Sequence, residues 1–197
     1  MNTFIEQMPG IYRLKVPFDT VYTSVFLVCT ENRKILVDCA TTPQDVDDFI
    51  IPALNNLGFD IQDIEYLIIT HWHEDHAGGK DRLLFHSPKL KVITEVSSLI
   101  DGIETYPLMG HTKDCIGVLC IKNKTLISAD GLQGAGVDKY KTCIALPDAY
   151  RKSIAKIRAD ARIENILFSH AYEPWFCDAI IGKETVQECL DICLTYV

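Results

Sequence analysis

The stretch Thr70-His71-Trp72-His73-Glu74-Asp75-His76-Ala77-Gly78-Gly79 constrains this chain more than any other. It sets three histidines and an aspartate within six positions, directly after the apolar run Tyr66-Leu67-Ile68-Ile69. Neutral imidazole and carboxylate are the usual ligands of a borderline divalent metal such as zinc. The chain has only six histidines, so three in one place are not scattered surface residues. The apolar run reads as a short strand buried on both faces, and the glycine pair allows a tight turn just beyond the cluster.

The rest of the chain has to build a scaffold for that cluster. At 197 residues it is long enough for one domain with a substantial core, and a single domain over 1–197 is expected. The formal net charge of −8 argues against a general nucleic-acid binder, while leaving room for a nuclease with a small basic patch. The opening residues Met1 to Glu6 show neither a basic region nor a long apolar one, and no run approaches the roughly 18 apolar residues of a membrane span. A cytoplasmic protein is therefore expected. None of the eight cysteines forms a C-x-x-C pair, and they read as small buried hydrophobes in a reducing compartment.

The apolar pattern predicts strands first. Ile11 to Val16 alternates, and Val21 to Cys29 and Lys34 to Cys39 are rich in Val, Ile and Phe around a turn at 31–33. Thr42-Pro43 reads as a helix start, with Thr42 as N-cap and a helical spacing running to Leu57. Pro52 inside that run predicts a kink or a local break. Further on come a strand over Ile64 to Thr70, a helix near Lys80 to Phe85, and strands over Lys91 to Thr94, Cys115 to Ile121 and Thr125 to Ser128. A helix over Pro147 to Ala161, a strand over Ile163 to Phe168 and a closing helix over Lys183 to Leu194 complete the pattern. Two packed sheets with helices outside fit this order better than a doubly wound parallel sheet.

If His71 to His73 continues the strand, both rings point to one face and suit one metal. Asp75 and His76, just past the turn, then face a second metal about 3.5–4 Å away. Further ligands belong at other strand ends, and three candidates follow apolar or turn segments: His111 in Gly110-His111-Thr112, Asp130 in Ser128-Ala129-Asp130, and His170 in Phe168-Ser169-His170. Trp72 is expected to pack rather than react, Glu74 to face solvent, and His86 to be a solvated loop residue.

With these residues in view, the chain resembles the metallo-β-lactamase-fold superfamily, and within it the glyoxalase-II-like hydrolases. The family pattern is H-x-H-x-D-H, then Gly-His, then an aspartate after a strand, then a last histidine, and all seven positions are filled in order. The resemblance implies an α+β fold, a four-layer αββα sandwich. It implies that His71, His73 and His111 bind a first metal, that Asp75, His76 and His170 bind a second, and that Asp130 bridges them. It implies that Asp38 stands behind the ligands. It implies two divalent ions, zinc first, with iron or manganese as alternatives. A water shared by two metals is acidified enough to attack at neutral pH. Asp75 can then exchange a proton with that water or with the leaving group. The expected reaction is hydrolysis of an activated carbonyl bond in a small molecule, whether ester, thioester or lactone.

Glyoxalase II itself and the related endoribonucleases carry C-terminal extensions, and only 27 residues follow His170. Lactonases of the family tend to place a tyrosine three residues after the bridging aspartate, where this chain has Gln133. Tyr140 and Tyr172 are candidates to take that role, and residues 131–146 are expected to select the substrate. Two alternatives stay open on the same fold: a mononuclear iron enzyme resembling persulfide dioxygenases, and a phosphodiesterase or ribonuclease. Homo-oligomer formation is left open as well.

Overall fold

The computed structural model describes residues 3–96, 99–133, 143–171 and 177–197. The chain divides into two compact units, Met1–Thr94 and Glu95–Val197. Each is built on a six-stranded mixed sheet.

In the first unit the strands lie side by side in sequence order: β1 (Ile5–Met8), β2 (Ile11–Phe18), β3 (Val21–Cys29), β4 (Lys34–Val37), β5 (Tyr66–Ile68) and β6 (Lys91–Ile93). The first four are antiparallel, as their short connections require, while β4, β5 and β6 run parallel. Alternation sorts the side chains by face. Leu14, Val16, Val25, Leu27, Leu36 and Leu67 meet Val46, Ile50, Ala53, Leu54 and Leu83 from the helical segments in one core. The alternate residues Phe26, Val28, Ile35 and Val37 are buried as well, which is why β3 and β4 read as almost continuous apolar runs.

The link from β4 to β5 starts as the sequence predicts. Thr42 caps α1 (Pro43–Asp45) in a reciprocal capping box with Asp45. A π turn over Val46–Ile50 separates it from α2 (Ile51–Asn56). There the Ile51 N–H bonds back five residues to the Val46 carbonyl, just ahead of Pro52, which has no N–H to give. The predicted break at Pro52 is thus a single widened turn. Past β5, α3 (Glu74–Ala77) and α4 (Lys80–His86) lead to β6.

The second unit has β7 (Leu99–Ile100), β8 (Ile103–Pro107), β9 (Ile116–Cys120), β10 (Thr125–Ala129), β11 (Asn165–Phe168) and β12 (Ala179–Ile181), in the spatial order β12-β11-β10-β9-β8-β7. Only β10 and β11 pair in parallel, because α5 (Pro147–Ala159) crosses between them. Tyr150, Ile154 and Ile157 of α5 pack with Val186, Cys189, Leu190 and Cys193 of α6 (Lys183–Leu194). Leu119, Leu126, Ile166 and Phe168 from the sheet complete that core. None of the eight cysteines is in a disulfide, and six are buried. No helix among the described residues is long and apolar enough to cross a membrane.

Candidate functional site

The first unit carries its candidate residues on one loop and one helical turn. The strand expected over Ile64 to Thr70 stops at Ile68, so it does not continue through His71 to His73. The reason lies on the neighbouring strand, where Asp38 follows β4 with a left-handed backbone, φ 61°. Its backbone N–H still bonds to the Ile68 carbonyl at 2.8 Å, but beyond that point its side chain replaces the ladder. Asp38 Oδ1 accepts the Thr70 N–H at 2.8 Å, and Oδ2 accepts the Thr70 hydroxyl at 2.9 Å. His71 and His73 therefore sit on an extended loop, with ring centroids 4.7 Å apart.

Asp38 Oδ2 also receives the His76 Nδ1 hydrogen, and the Thr70 hydroxyl lies 3.2 Å from His71 Nδ1. One carboxylate thus holds two imidazoles, His76 directly and His71 through Thr70. Burial pushes the Asp38 carboxyl up, opposed by His76 and by the two Thr70 donors. The backbone joins the same pieces: Cys39 N–H and Sγ–H both donate to the His76 carbonyl, and the Thr23 hydroxyl donates to the Asp75 carbonyl. Gly78 and Gly79 let α3 lie directly on residues 39–41. A Cβ on Gly79 would come 2.2 Å from the Cys39 carbonyl oxygen, and one on Gly78 1.8 Å from that of Thr41.

Within the second unit, Asp130 follows β10 at a left-handed Ala129, φ 47°. Its two carboxylate oxygens face different histidines: Oδ2 is 3.6 Å from His111 Nε2, and Oδ1 is 3.4 Å from His170 Nε2. His111 is held by a 2.6 Å hydrogen bond from Nδ1 to the Cys143 carbonyl. Gly110 before it adopts φ 151° and passes so close to Tyr150 that a Cβ would lie 2.7 Å from that side chain.

These donors fit divalent metal. In His71, His76 and His111 the Nδ1 edge is committed to Thr70, Asp38 and Cys143, leaving Nε2 as the atom able to ligate. Each Nε2 then faces a further donor of its own unit: His73 Nδ1 at 3.1 Å, Asp75 Oδ2 at 3.2 Å and Asp130 Oδ2 at 3.6 Å. Lone pairs gathered this closely call for a cation among them. Asp75, His76, His71, His111, Asp130 and His170 are buried, and His73 is exposed.

Several expectations change. Trp72 does not pack: it is 53% exposed. His86 is not a loop residue but ends α4, where its ring pairs with Asp47 at 2.9 Å. Glu74 is exposed, as expected. Gln133 is 7% exposed and its backbone N–H closes a turn onto the Asp130 carbonyl. Tyr140 and Tyr172 lie outside the described residues, as does most of the 131–146 stretch. Reading the sequence missed Thr70 and the Cys143 carbonyl. Thr70 was visible as the polar residue between a buried strand and the first histidine; the carbonyl left no signal.

Clusters of histidine and carboxylate able to hold metal, carried past the strand ends of two mixed sheets, mark a metal-dependent class of α+β protein. The pattern of the Metallo-beta-lactamase superfamily matches residues 18–98. The chain is 27% identical over 164 residues to the beta-lactamase-like protein 2 homolog of Caenorhabditis elegans, covering 72% of this chain and 54% of that protein. It is 33% identical over 147 residues to thioesterase pkgB of Emericella nidulans, covering 68% and 41%. The chain thus spans about half the length of the curated relatives it matches. The metallo-β-lactamase FIM-1 from Pseudomonas aeruginosa, in its mono-zinc form, superposes with a TM-score of 0.72 at 18% identity, over 98% of this chain and 95% of that one. The chain is thus similar to the metallo-β-lactamase superfamily over residues 18–98, and its fold is the α+β sandwich expected from the sequence.

Proposed function

We propose that the chain is a dinuclear metal-dependent hydrolase of activated carbonyl bonds, with thioesters and esters the favoured substrates and lactones a third class. In this reading His71, His73 and His111 serve one metal, Asp75, His76 and His170 the other, and Asp130 serves both. The observation that carries it is Asp130, whose two oxygens face two different histidine Nε2 atoms, as a bridging carboxylate must. The match of residues 18–98 to the superfamily and the likeness to a protein named as a thioesterase support the substrate class.

Divalent ions held by these residues, zinc first, would supply a water acidic enough to attack at neutral pH and a positive charge for the carbonyl oxygen. The residues do the rest. Asp38 and Thr70 fix the tautomers of His76 and His71, so that Nε2 is the edge turned to the metal. Asp75 holds the proton of the attacking water or passes it to the leaving group. Gln133, whose buried amide has no hydrogen-bond partner among the described residues, supplies a hydrogen bond to the substrate, with Tyr140 and Tyr172 as alternatives for that role. The protein would act on a small molecule in the cytoplasm.

The test is metal analysis of the purified protein together with a panel of ester, thioester, lactone and phosphodiester substrates. Two equivalents of zinc and turnover of a carbonyl substrate are expected. One equivalent of iron with oxygen uptake on a persulfide, or turnover confined to phosphodiesters, overturns the reading.

A further inference from the structure

A groove of about 530 Å³ lies in the second unit, lined by Met109, Leu146, Pro147, Asp148, Lys152 and Lys156 among others. That is the size of a site for a small organic molecule. Its walls leave large apolar side chains in water, Met109 at 44% and Leu146 at 40% exposure. Lys152 and Lys156 stand four residues apart on α5, on one face of the helix, and both are exposed. Like charges at that spacing disfavour a helix by a few tenths of a kcal/mol. The chain keeps them side by side although its net charge is −8.

The nearby acids pair first with arginines, although Asp160 also feels the charge of Lys156. Asp148 is bonded to Arg151 at 3.0 Å, and Asp160 to Arg162 at 2.7 Å. Lys156 is steadied by its own ring contact, its ammonium 4.7 Å from the centre of the Tyr106 ring. The groove therefore joins an apolar wall to a cationic rim. It is also tied to the backing of His111. Leu146 N–H bonds to the Gly110 carbonyl at 2.9 Å, the Ser153 hydroxyl to the Met109 carbonyl at 2.7 Å, and Cys143 holds the His111 ring.

We propose that this groove binds an organic anion with an apolar body, its acidic group between Lys152 and Lys156 and its chain on Met109 and Leu146. As the place where the substrate's anionic tail docks, it rests on the hydrolase reading; as a binding site it does not.

Octanoate and its uncharged counterpart octanamide, titrated calorimetrically into the metal-loaded protein, separate the two. Wild-type protein is expected to bind octanoate at least tenfold more tightly than octanamide. Lys152→Ala with Lys156→Ala should erase that preference while leaving octanamide binding in place, and Met109→Asp should weaken both. Unchanged octanoate affinity in the double variant, equal affinity for the two probes, or no binding of either overturns the proposal. Octanoate binding of the expected pattern in a protein that hydrolyses no carbonyl substrate keeps the groove and removes the hydrolase reading. Hydrolysis without such binding does the reverse.

Discussion

His76 Nδ1 lies 2.7 Å from Asp38 Oδ2, with both side chains wholly buried. Asp38 comes from the end of β4, and His76 from the helical turn after β5, 38 residues later. The pair commits Nδ1 of His76 and leaves Nε2 for a metal in the proposed site, so an effect on metal binding is expected from a residue that need not touch the metal.

Asp38→Asn keeps the shape and removes the charge. An amide can no longer accept from both Thr70 and His76. Metal affinity should fall by about 10- to 100-fold, the usual loss when such a supporting partner is changed. Competition with a chromogenic chelator measures it, and wild-type affinity would show that Asp38 serves only folding. Thr70→Val should reproduce a smaller part of the loss, through His71.

Removing metal should lower the melting temperature, and zinc should restore it. A ligand bound to the folded state alone stabilises by about 4 kcal/mol when present at a thousand times its dissociation constant. Thermal melts with and without chelator read this directly. Identical melts would argue against a metal site of any consequence.

Gly79→Ala should damage the fold itself. Its Cβ would meet the Cys39 carbonyl oxygen at 2.2 Å and Val46 Cγ2 at 2.6 Å, in backbone that cannot move without shifting α3. A loss of about 1–3 kcal/mol is expected from such overpacking, read from urea unfolding. Trp72→Ala, on the same loop, should change stability by no more than about 0.5 kcal/mol, because the indole is largely in water.

Arg162 beside Asp160 holds that carboxyl below the ordinary carboxylate range, and Arg82 with His86 does the same for Asp47. A folded pKa below the unfolded one means stability gained above the unfolded value, about 4, and lost as pH falls through the folded value. Asp160→Asn and Asp47→Asn should therefore cost stability near neutral pH and cost progressively less in acid. Urea midpoints across the acid range, compared with wild type, should converge; parallel curves would remove these ion pairs from the account.

Much of the scaffold was legible because its punctuation is local. Strand β3 and helix α6 have the ends read from the sequence, Val21–Cys29 and Lys183–Leu194, since turn residues and a glycine mark them. Strands β1, β7, β8 and β12 escaped notice, being two to five residues long with little alternation to read. The spacing of histidines and acids singled out seven candidate side chains. It could not reveal that Thr70 joins Asp38 to His71, or that His71 and His73 lie past the end of the strand. Those follow from hydrogen bonds between segments more than thirty residues apart.

Asp38, Ala40 and Ala129 all hold left-handed backbone without being glycine. Such a conformation costs an ordinary residue roughly 1–2 kcal/mol, and glycine would relieve it at the expense of a more flexible unfolded chain. Laboratory evolution for heat tolerance has an opening here, with Ala40→Gly and Ala129→Gly among the first substitutions it should sample. The same substitutions would slacken the two corners from which Asp38 and Asp130 project. Variants selected only for survival at high temperature should therefore drift away from tight metal retention, and a screen that rewards both properties should leave these alanines alone.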